Sequence, residues 1–185
     1  DLFLNNYFKD KTKGFYVDVG CYHPIHRNNT YLLYKKGWHG VNIDIQKFSI
    51  DLFNHLRPKD LNYNFAVSNK NEIVEMFYQK KLSQLSTIEE KQSLKVFQGD
   101  IKKLKIQSLT LDSILEKTNS NNIKLDLLDI DVEGADLKVL EGFSIQKFKP
   151  ELVCVIIISI KDLKLFFSNF FSKVTLVGLI TGLFL

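Results

Sequence analysis

The sequence has few cysteines: Cys21 and Cys154 are the only two among 185 residues. Each lies within or beside an apolar segment that has the composition of a β-strand. This number and placement exclude a framework of several disulfides and favour buried thiols in a reducing compartment. We therefore predict a cytoplasmic protein.

A track of arginines is also missing. The formal net charge of +4 comes mainly from lysines, which are scattered or form short clusters such as Lys35-Lys36, Lys80-Lys81 and Lys102-Lys103. A solvated surface explains these clusters better than a groove that follows a phosphate backbone. We therefore expect no nucleic-acid partner.

One long apolar run is present, at residues 165–185, and it is about as long as a membrane helix requires. Lys173 near its centre and the glycines Gly178 and Gly182 argue against a span. We predict instead a helix, then a strand from Val174, then a last strand that is cut short. No stable membrane span is expected.

Strand-like and helix-like patterns alternate along the first third of the chain. Apolar strand patterns precede and follow two helical patterns, in the order Phe15 to Gly20, Tyr31 to Lys36, His39 to Ile45, Lys47 to Leu56 and Tyr63 to Val67. The polar run Asn28-Asn29-Thr30 is expected to cap the first helix. Such repeated β-α-β units predict an α/β fold with a parallel sheet and helices on both of its faces.

The rest of the chain continues this alternation after an interruption. Residues 69–108 are polar and weakly patterned except for a hairpin-like strand at Glu72 to Tyr78, and we interpret them as an insertion or lid. Leu109 to Lys117 predicts a capped helix. Strands at Leu125 and at Glu151 to Ile158 then flank a helix at Asp136 to Glu141. One domain over residues 1–185 is the simplest interpretation.

Acidic residues follow or interrupt the predicted strands. Asp18 lies within the first strand, Asp44 ends the second, and Asp129, Asp131 and Glu133 end the strand after Leu125. An acid inside an apolar strand is costly to bury, so its presence there favours a functional role such as ligand binding. Because ligands of open α/β sheets bind at the carboxyl ends of the strands, these acids predict a cofactor pocket.

The first turn distinguishes between cofactor classes. An acid at the end of the second strand binds a ribose diol in both dinucleotide and adenosyl sites. Dinucleotide sites also need repeated glycines near the pyrophosphate, whereas here Gly20 is followed by Cys21, Tyr22, His23 and Pro24. S-adenosylmethionine has ribose and adenine without phosphate, so it fits this turn better than NAD.

Several motifs together resemble the FkbM family of S-adenosylmethionine-dependent methyltransferases. The resemblance rests on GFYVDVGCYHPIHRNNTYLLYKKGWHGVNIDI and LDLLDIDVEGADLKVLEGF, with FAVSN, SLTLDSIL and LVGLITGL in the same order. It implies the class I methyltransferase fold, a mostly parallel Rossmann-like sheet of seven strands with the last one antiparallel. It also implies O-methylation of a hydroxyl on a sugar, glycan or small metabolite.

The resemblance assigns roles to particular residues. Asp18 and Gly20, with the adjacent Cys21, would line the methionine part of the cofactor, and Asp44 would bind the ribose hydroxyls. Adenine would contact the residues that end the second and third strands, Ile45, Ala66, Val67 and Ser68. Asp131 and Glu133 would face the site of methyl transfer. We expect His23 to be the catalytic base, with Glu133 as the second candidate.

Simpler interpretations of these residues stay open. His23 could serve only the turn at Pro24, Asp129 could pair with a lysine, and Glu133-Gly134 could be an ordinary helix start. Asp131 and Glu133 could supply part of an oxygen site for a divalent cation. The fifth predicted strand ends in isoleucines and offers no acid, so we predict no metal.

Two other functions compete with methyl transfer. A degenerate domain that keeps the fold as a binding or interaction module is the first alternative, and a nicotinamide-dependent dehydrogenase is the second. Methylation of nucleic-acid amino groups is not expected, because DVEG stands where such enzymes usually have an Asp/Asn-Pro-Pro-aromatic motif. The identity of the acceptor and the oligomeric state do not follow from the sequence.

Overall fold

The computed structural model describes residues 2–118 and 124–155 of the chain. The helices in these residues are α1 Leu2–Tyr7, α2 Tyr31–Lys35, α3 Lys47–Leu56, α4 Glu90–Val96, α5 Leu111–Lys117, α6 Asp136–Glu141 and α7 Ile145–Phe148. The strands are β1 Phe15–Val19, β2 His39–Asp44, β3 Leu61–Asn64, β4 Ala66–Val67, β5 Glu72–Tyr78, β6 Lys102–Leu109, β7 Leu127–Ile130 and β8 Leu152–Val155.

The main sheet has five strands in the described residues, in the order β3-β2-β1-β7-β8, and all neighbouring strands are parallel. This confirms the α/β fold with a mostly parallel, Rossmann-like sheet. Seven strands were expected, and the predicted C-terminal helix and strands fall in residues 156–185, which lie outside the described residues. Residues 156–158, the end of the predicted fifth strand, also lie outside them.

The two faces of this sheet differ in composition because side chains alternate along each strand. One face, which we call the aliphatic face, carries Val17, Val19, Val41, Ile43, Leu128, Ile130, Val153 and Val155. It packs against α5 and α6. The opposite face, the polar face, carries Tyr16, Asp18, Gly40, Asn42, Leu127, Asp129, Leu152 and Cys154. It packs in part against α1 and α2.

A second, three-stranded sheet has the order β4-β6-β5. The predicted single strand Tyr63 to Val67 is wrong, because the chain divides at Phe65 into β3 of the main sheet and β4 of the second sheet. Asn64 explains the division: its Nδ2 donates to the carbonyls of Asp44 and Ile45, each at 2.9 Å, where β2 ends. Strand β6, within the predicted insertion, was not predicted from its weak pattern, and it pairs antiparallel with β5.

Two predicted helix caps have different outcomes. Thr110 caps α5 as expected, since its hydroxyl accepts a hydrogen bond from the backbone N–H of Ser113 at 3.2 Å. Thr30 precedes α2, but its side chain makes no capping hydrogen bond. Its hydroxyl donates instead to Asp18, across the polar face of the sheet. In the described part of the chain, no helix is long and apolar enough to cross a membrane.

Candidate cofactor site

An open cavity of about 740 Å³ lies at the carboxyl ends of β1, β2 and β7. Four aspartates line the cavity, namely Asp18, Asp44, Asp129 and Asp131. The other predicted cofactor residues that line it are Gly20, Cys21, Ile45 and Val67. The parallel sheet thus brings together acids that are up to 113 positions apart in the sequence.

Gly20 makes the turn after β1 possible. Its φ is +85°, and a Cβ at this position would lie 1.9 Å from the backbone oxygen of Asp131. Its backbone N–H donates to the Ile43 carbonyl at 2.8 Å, which holds the turn against β2. Only glycine allows β1 and the end of β7 to approach each other this closely.

Asp44 is 8% exposed and is held by two backbone groups. Its Oδ1 accepts from the N–H of Gln46 at 2.7 Å, and its Oδ2 accepts from the N–H of Tyr22 at 2.8 Å. Burial raises the pKa of Asp44 to about 6 although these two hydrogen bonds lower it. The side chain is therefore fixed at the cavity wall by the turn after β1 and by the start of α3.

Asp18 is 2% exposed and forms the floor of the site on the polar face. Its Oδ2 accepts hydrogen bonds from the Thr30 hydroxyl at 2.8 Å and from the Asn28 amide at 3.0 Å. Burial raises its pKa, while Thr30, Arg57 and Asn28 act in the opposite direction. These partners favour a carboxylate that keeps its negative charge.

Asp129 and Asp131 lie on the same side of the chain as Asp18. Asp129 does not pair with a lysine in the described residues; its Oδ2 accepts from the Asn29 amide at 3.0 Å. Burial, followed by the charge of Asp18, raises the pKa of Asp129 well above its ordinary value. The same two causes raise the pKa of Asp131 to about 6. Within the described residues, the Asp131 carboxylate accepts no hydrogen bond, so it is available to a ligand.

Glu133 lies beside the cavity but is not among the residues that line it. Its φ is +52°, and its backbone carbonyl accepts from the Thr87 hydroxyl at 2.9 Å. Burial and the neighbouring acids Asp131 and Asp136 raise its pKa to about 7. The acid that starts α6 is Asp136, which accepts from the N–H groups of Val132 and Gly134 and so shapes the loop that carries Asp131.

His23 lies in the turn after β1 and does not line the cavity. Its Nδ1 accepts from the backbone N–H groups of Ile25 and His26, each at 3.1 Å. The acceptor nitrogen of a neutral imidazole is therefore engaged by this turn. Burial, His26 and Arg57 lower the pKa of His23.

Two predicted adenine contacts lie behind the cavity wall. Ala66 is completely buried and Ser68 is 4% exposed, and neither lines the cavity. Their neighbour Val67 does line it, as does Phe65, which precedes β4. The alternation of side chains along this extended segment accounts for the difference, since residues 65 and 67 point to one side and residues 66 and 68 to the other.

The segment between β5 and α4 closes one side of the cavity with small polar side chains. Ser83, Gln84 and Ser86 line it together with Ile88. Gln46, next to Asp44, donates its amide to the carbonyl of Lys80 at 3.1 Å and to the Ser86 hydroxyl. This segment belongs to residues 69–108, and its description as a lid stays a prediction.

The site is strongly acidic. Arg27 and the four aspartates are the charged residues among those that line the cavity. Arg27 is exposed and donates to the Gln84 side chain at 2.9 Å. A positively charged ligand would lower the cost of placing several carboxylates close together.

A comparison with protein-family models found a match to the methyltransferase FkbM domain over residues 18–177. The chain belongs to the FkbM methyltransferase family. The matched range includes the cavity-lining aspartates and the whole of the described main sheet after the start of β1. Comparisons with curated proteins and with solved structures found no match.

Membership in the FkbM family makes this chain a methyltransferase. In the described ranges 2–118 and 124–155, no group of three or more His, Cys, Asp or Glu residues is arranged to hold a metal ion.

Sequence reasoning missed the residues behind this site. Arg57 and Asp60 are 1% and 6% exposed, and both belong to a hydrogen-bonded group on the polar face. They stand next to Pro58 at the end of a helix, where polar residues usually face solvent. Their long-range partners, which include Asn28 and Tyr16, give no signal at the level of sequence spacing.

Proposed function

We propose that the chain is an S-adenosylmethionine-dependent methyltransferase that methylates a hydroxyl group of a sugar, glycan or small metabolite. The observation that carries this proposal is the cavity at the carboxyl ends of the strands, lined by four aspartates and by one glycine turn. It offers carboxylates to a cationic ligand but no repeated glycines to a pyrophosphate.

The charge of the cavity supports this cofactor. S-adenosylmethionine carries a sulfonium and an ammonium group, and both are stabilised by nearby carboxylates. Asp18 and Gly20 line the cavity and would border its methionine part, with Cys21 beside them. Burial raises the pKa of the Cys21 thiol well above its ordinary value, so this side chain is a neutral wall rather than a nucleophile.

Asp44 is the proposed partner of the ribose. Its two carboxylate oxygens are held by the Tyr22 and Gln46 backbones, which leaves further lone pairs for two hydroxyl groups. Ile45, Phe65 and Val67 supply apolar surface for the adenine ring. Ala66 and Ser68 support that wall from behind rather than contact the ring.

We propose Asp131 as the group that accepts the proton of the acceptor hydroxyl. When bound, the cofactor supplies an electrophilic methyl group, so the protein needs to orient the hydroxyl and assist its deprotonation. Asp131 lines the cavity, and its carboxylate has no partner in the described residues. A pKa of about 6 leaves it mostly ionised at neutral pH. Glu133 is the second candidate, and His23 the third.

Calorimetric titration tests the cofactor. S-adenosylmethionine and S-adenosylhomocysteine are titrated into the purified chain, with NAD in a parallel titration. Binding of the first two without binding of NAD is expected. Binding of NAD alone would overturn the proposal in favour of a dehydrogenase. Binding of S-adenosylmethionine without methyl transfer to any member of a hydroxyl acceptor panel would support the degenerate binding module.

A variant of Asp44 tests the position of the ribose. Asp44→Asn keeps the shape of the side chain but removes its charge, and we expect affinity for S-adenosylmethionine to fall by roughly 10- to 100-fold, the value of one or two charged hydrogen bonds. Asp51→Asn is the matched control. Asp51 is an exposed acid on α3, the helix that follows Asp44, and it pairs with Lys47. Equal affinities of the two variants would contradict the assignment.

We also propose a cytoplasmic location. Both cysteines are buried free thiols, Cys21 at the cavity and Cys154 on the polar face of β8. Labelling of the native protein in cell fractions with an antibody tests this location directly. Recovery in a secreted fraction would contradict it.

A further inference from the structure

Arg57 is a buried cation directly behind the cofactor site. It follows α3 and is 1% exposed, and it does not line the cavity. Its Nε donates to the Pro24 carbonyl at 3.0 Å, its Nη1 to the Thr30 hydroxyl at 2.9 Å and its Nη2 to the Asn28 side-chain oxygen at 2.7 Å. The planar guanidinium thus holds three points of the loop between β1 and α2.

Two of these partners connect Arg57 to Asp18. The Thr30 hydroxyl accepts from Arg57 and donates to the Asp18 carboxylate at 2.8 Å. The Asn28 side chain accepts from Arg57 through its oxygen and donates to the same carboxylate through its nitrogen at 3.0 Å. Two parallel bridges therefore link a buried cation to an acid in the cavity wall.

The Thr30 side chain takes part in this link to Asp18 and does not cap the helix that follows it. A threonine at the position before a helix usually satisfies a backbone N–H of the first turn. Here the side chain makes no such capping bond to α2 and is used entirely in the network. Helix α2 therefore lacks a side-chain cap from Thr30, whose hydroxyl bonds to Asp18 instead.

A second acid lies on the other side of Arg57. Asp60 accepts from the Tyr16 hydroxyl at 2.5 Å and from the Asn42 amide at 3.0 Å. The Tyr16 hydroxyl also accepts from Arg57 Nη1 at 3.4 Å. Arg57 thus lies between Asp60, which is outside the cavity, and Asp18, which is in its wall.

Other charged or titratable groups also act on Asp18. They come from β1, β2, β7, the following turn and the segment after α3, and they are Tyr16, Cys21, Asp44, Arg57, Asp60, Asp129 and Asp131. Arg57 is the cation in this set, and the other charged members are acids. The charge state of Asp18 is therefore sensitive to the contact with Arg57.

We infer that Arg57 is a positioning residue that acts through Thr30 and Asn28 to keep Asp18 ionised and oriented toward the cationic cofactor. The inference rests on the proposed function for the identity of the ligand. The link between Arg57 and Asp18 itself depends only on contacts within the protein.

Thr30 provides the sharpest test, because Thr30→Val is nearly isosteric, Thr30→Ser keeps the hydroxyl at the loss of one methyl group, and both leave Arg57 in place. Thr30→Val removes the hydroxyl, whereas Thr30→Ser keeps it. Carboxyl-carbon NMR titration of ligand-free protein with labelled aspartate follows Asp18, whose resonance is assigned with Asp18→Asn. We expect a raised pKa of Asp18 in Thr30→Val and a value close to that of the unsubstituted chain in Thr30→Ser.

Asp60→Asn adds a change in the opposite direction. Removal of this negative charge lowers the pKa of Asp18, while loss of the Thr30 hydroxyl raises it. Damage to the fold alone would not produce shifts of opposite sign in two variants with the same circular dichroism. Equal pKa values of Asp18 in all three variants would overturn the inference.

Cofactor affinity then connects the network to function. In Thr30→Val we expect affinity for S-adenosylmethionine to fall about tenfold near neutral pH, the size of one lost hydrogen bond to a charged group, and to recover as the pH rises. A deficit that is the same at every pH would overturn the proposed electrostatic role. If the unsubstituted chain fails to bind S-adenosylmethionine, the proposed function fails, and the NMR titration still decides whether the Thr30 hydroxyl, through which Arg57 reaches Asp18, lowers the pKa of that carboxyl.

Discussion

The two faces of the five-stranded sheet bury different kinds of side chains. The buried residues of the aliphatic face in β1, β2, β7 and β8 are valine, isoleucine and leucine. The polar face carries Asp18, Asn42 and Asp129 at neighbouring positions of β1, β2 and β7. Both faces are buried, so the polar face needs a hydrogen-bond partner for nearly every polar atom, whereas the aliphatic face needs only close packing.

Because the two faces alternate along each strand, residues that pack in the core alternate with residues that face the cavity. Leu128 and Asp129 are adjacent in β7, yet one packs in the main apolar cluster and the other accepts a hydrogen bond from Asn29 beside the cavity. Buried polar groups without partners are costly, and in the described residues Asn42 Oδ1 and Ser108 Oγ are the buried side-chain atoms that have none. The polar face thus has less apolar packing than the aliphatic face, and its acids give the cavity its charge.

The largest expected effect comes from moving a carboxylate to the aliphatic face. Leu128→Asp places an acid among aliphatic side chains with no partner, and we expect a loss of more than about 4 kcal/mol in the free energy of unfolding. Leu128→Met is the matched control and should cost less than about 1.5 kcal/mol. Urea unfolding measures both. Similar midpoints for the two variants would show that the faces do not differ as described.

A smaller effect is expected when a charge is removed from the cavity. Asp131 has a pKa of about 6 in the folded protein against an ordinary value of 3.8. The folded state therefore holds a proton that the unfolded state releases between these pH values. The stability from this proton is complete below the unfolded pKa and is lost as the pH rises through about 6.

Asp131→Asn should consequently stabilise the ligand-free protein by about 1–2 kcal/mol near neutral pH and reduce its loss of stability between acidic and neutral pH. The same variant should lower methyl transfer. Thermal unfolding at several pH values and an activity assay measure the two effects. A variant that loses stability at neutral pH would contradict the pKa assignment, and unchanged turnover would remove Asp131 as the base.

The smallest effect is expected outside the cavity, at His23. His23→Ala removes the acceptor of two backbone N–H groups in the turn, which should cost about 1 kcal/mol of stability. Cofactor affinity and turnover should stay close to those of the unsubstituted chain, because His23 does not line the cavity. His55→Ala, at an exposed position of α3, is the control. A large loss of turnover with intact binding would restore His23 as the base, the role that the sequence suggested.

Local patterns predicted much of the fold. Helix α3 begins at Lys47 and ends at Leu56 as expected, and α6 spans the expected Asp136 to Glu141. Both segments have a helical period and clear boundaries, and such signals depend on near neighbours. The acids at the ends of β1, β2 and β7 were also predictable, because parallel strands bring their carboxyl ends to one edge.

Long-range contacts explain what was missed. The division of the third strand depends on Asn64, whose amide bonds to the carbonyls where β2 ends. Thr30 has the sequence signature of a helix cap, but Arg57 and Asp18 offer it partners that are 27 and 12 positions away. Strand β6 has a weak pattern because much of its length is exposed, and its pairing with β5 determines it.

The sequence by itself determined the α/β alternation, the turn at Gly20 and the presence of acids at the strand ends, since each follows from local periodicity or from the chemistry of one residue. The tertiary structure decided which acids share the cavity, which nitrogen of His23 is engaged and how Arg57 reaches Asp18. These depend on contacts between residues far apart in the chain, and their strength depends on burial, which only the folded protein provides.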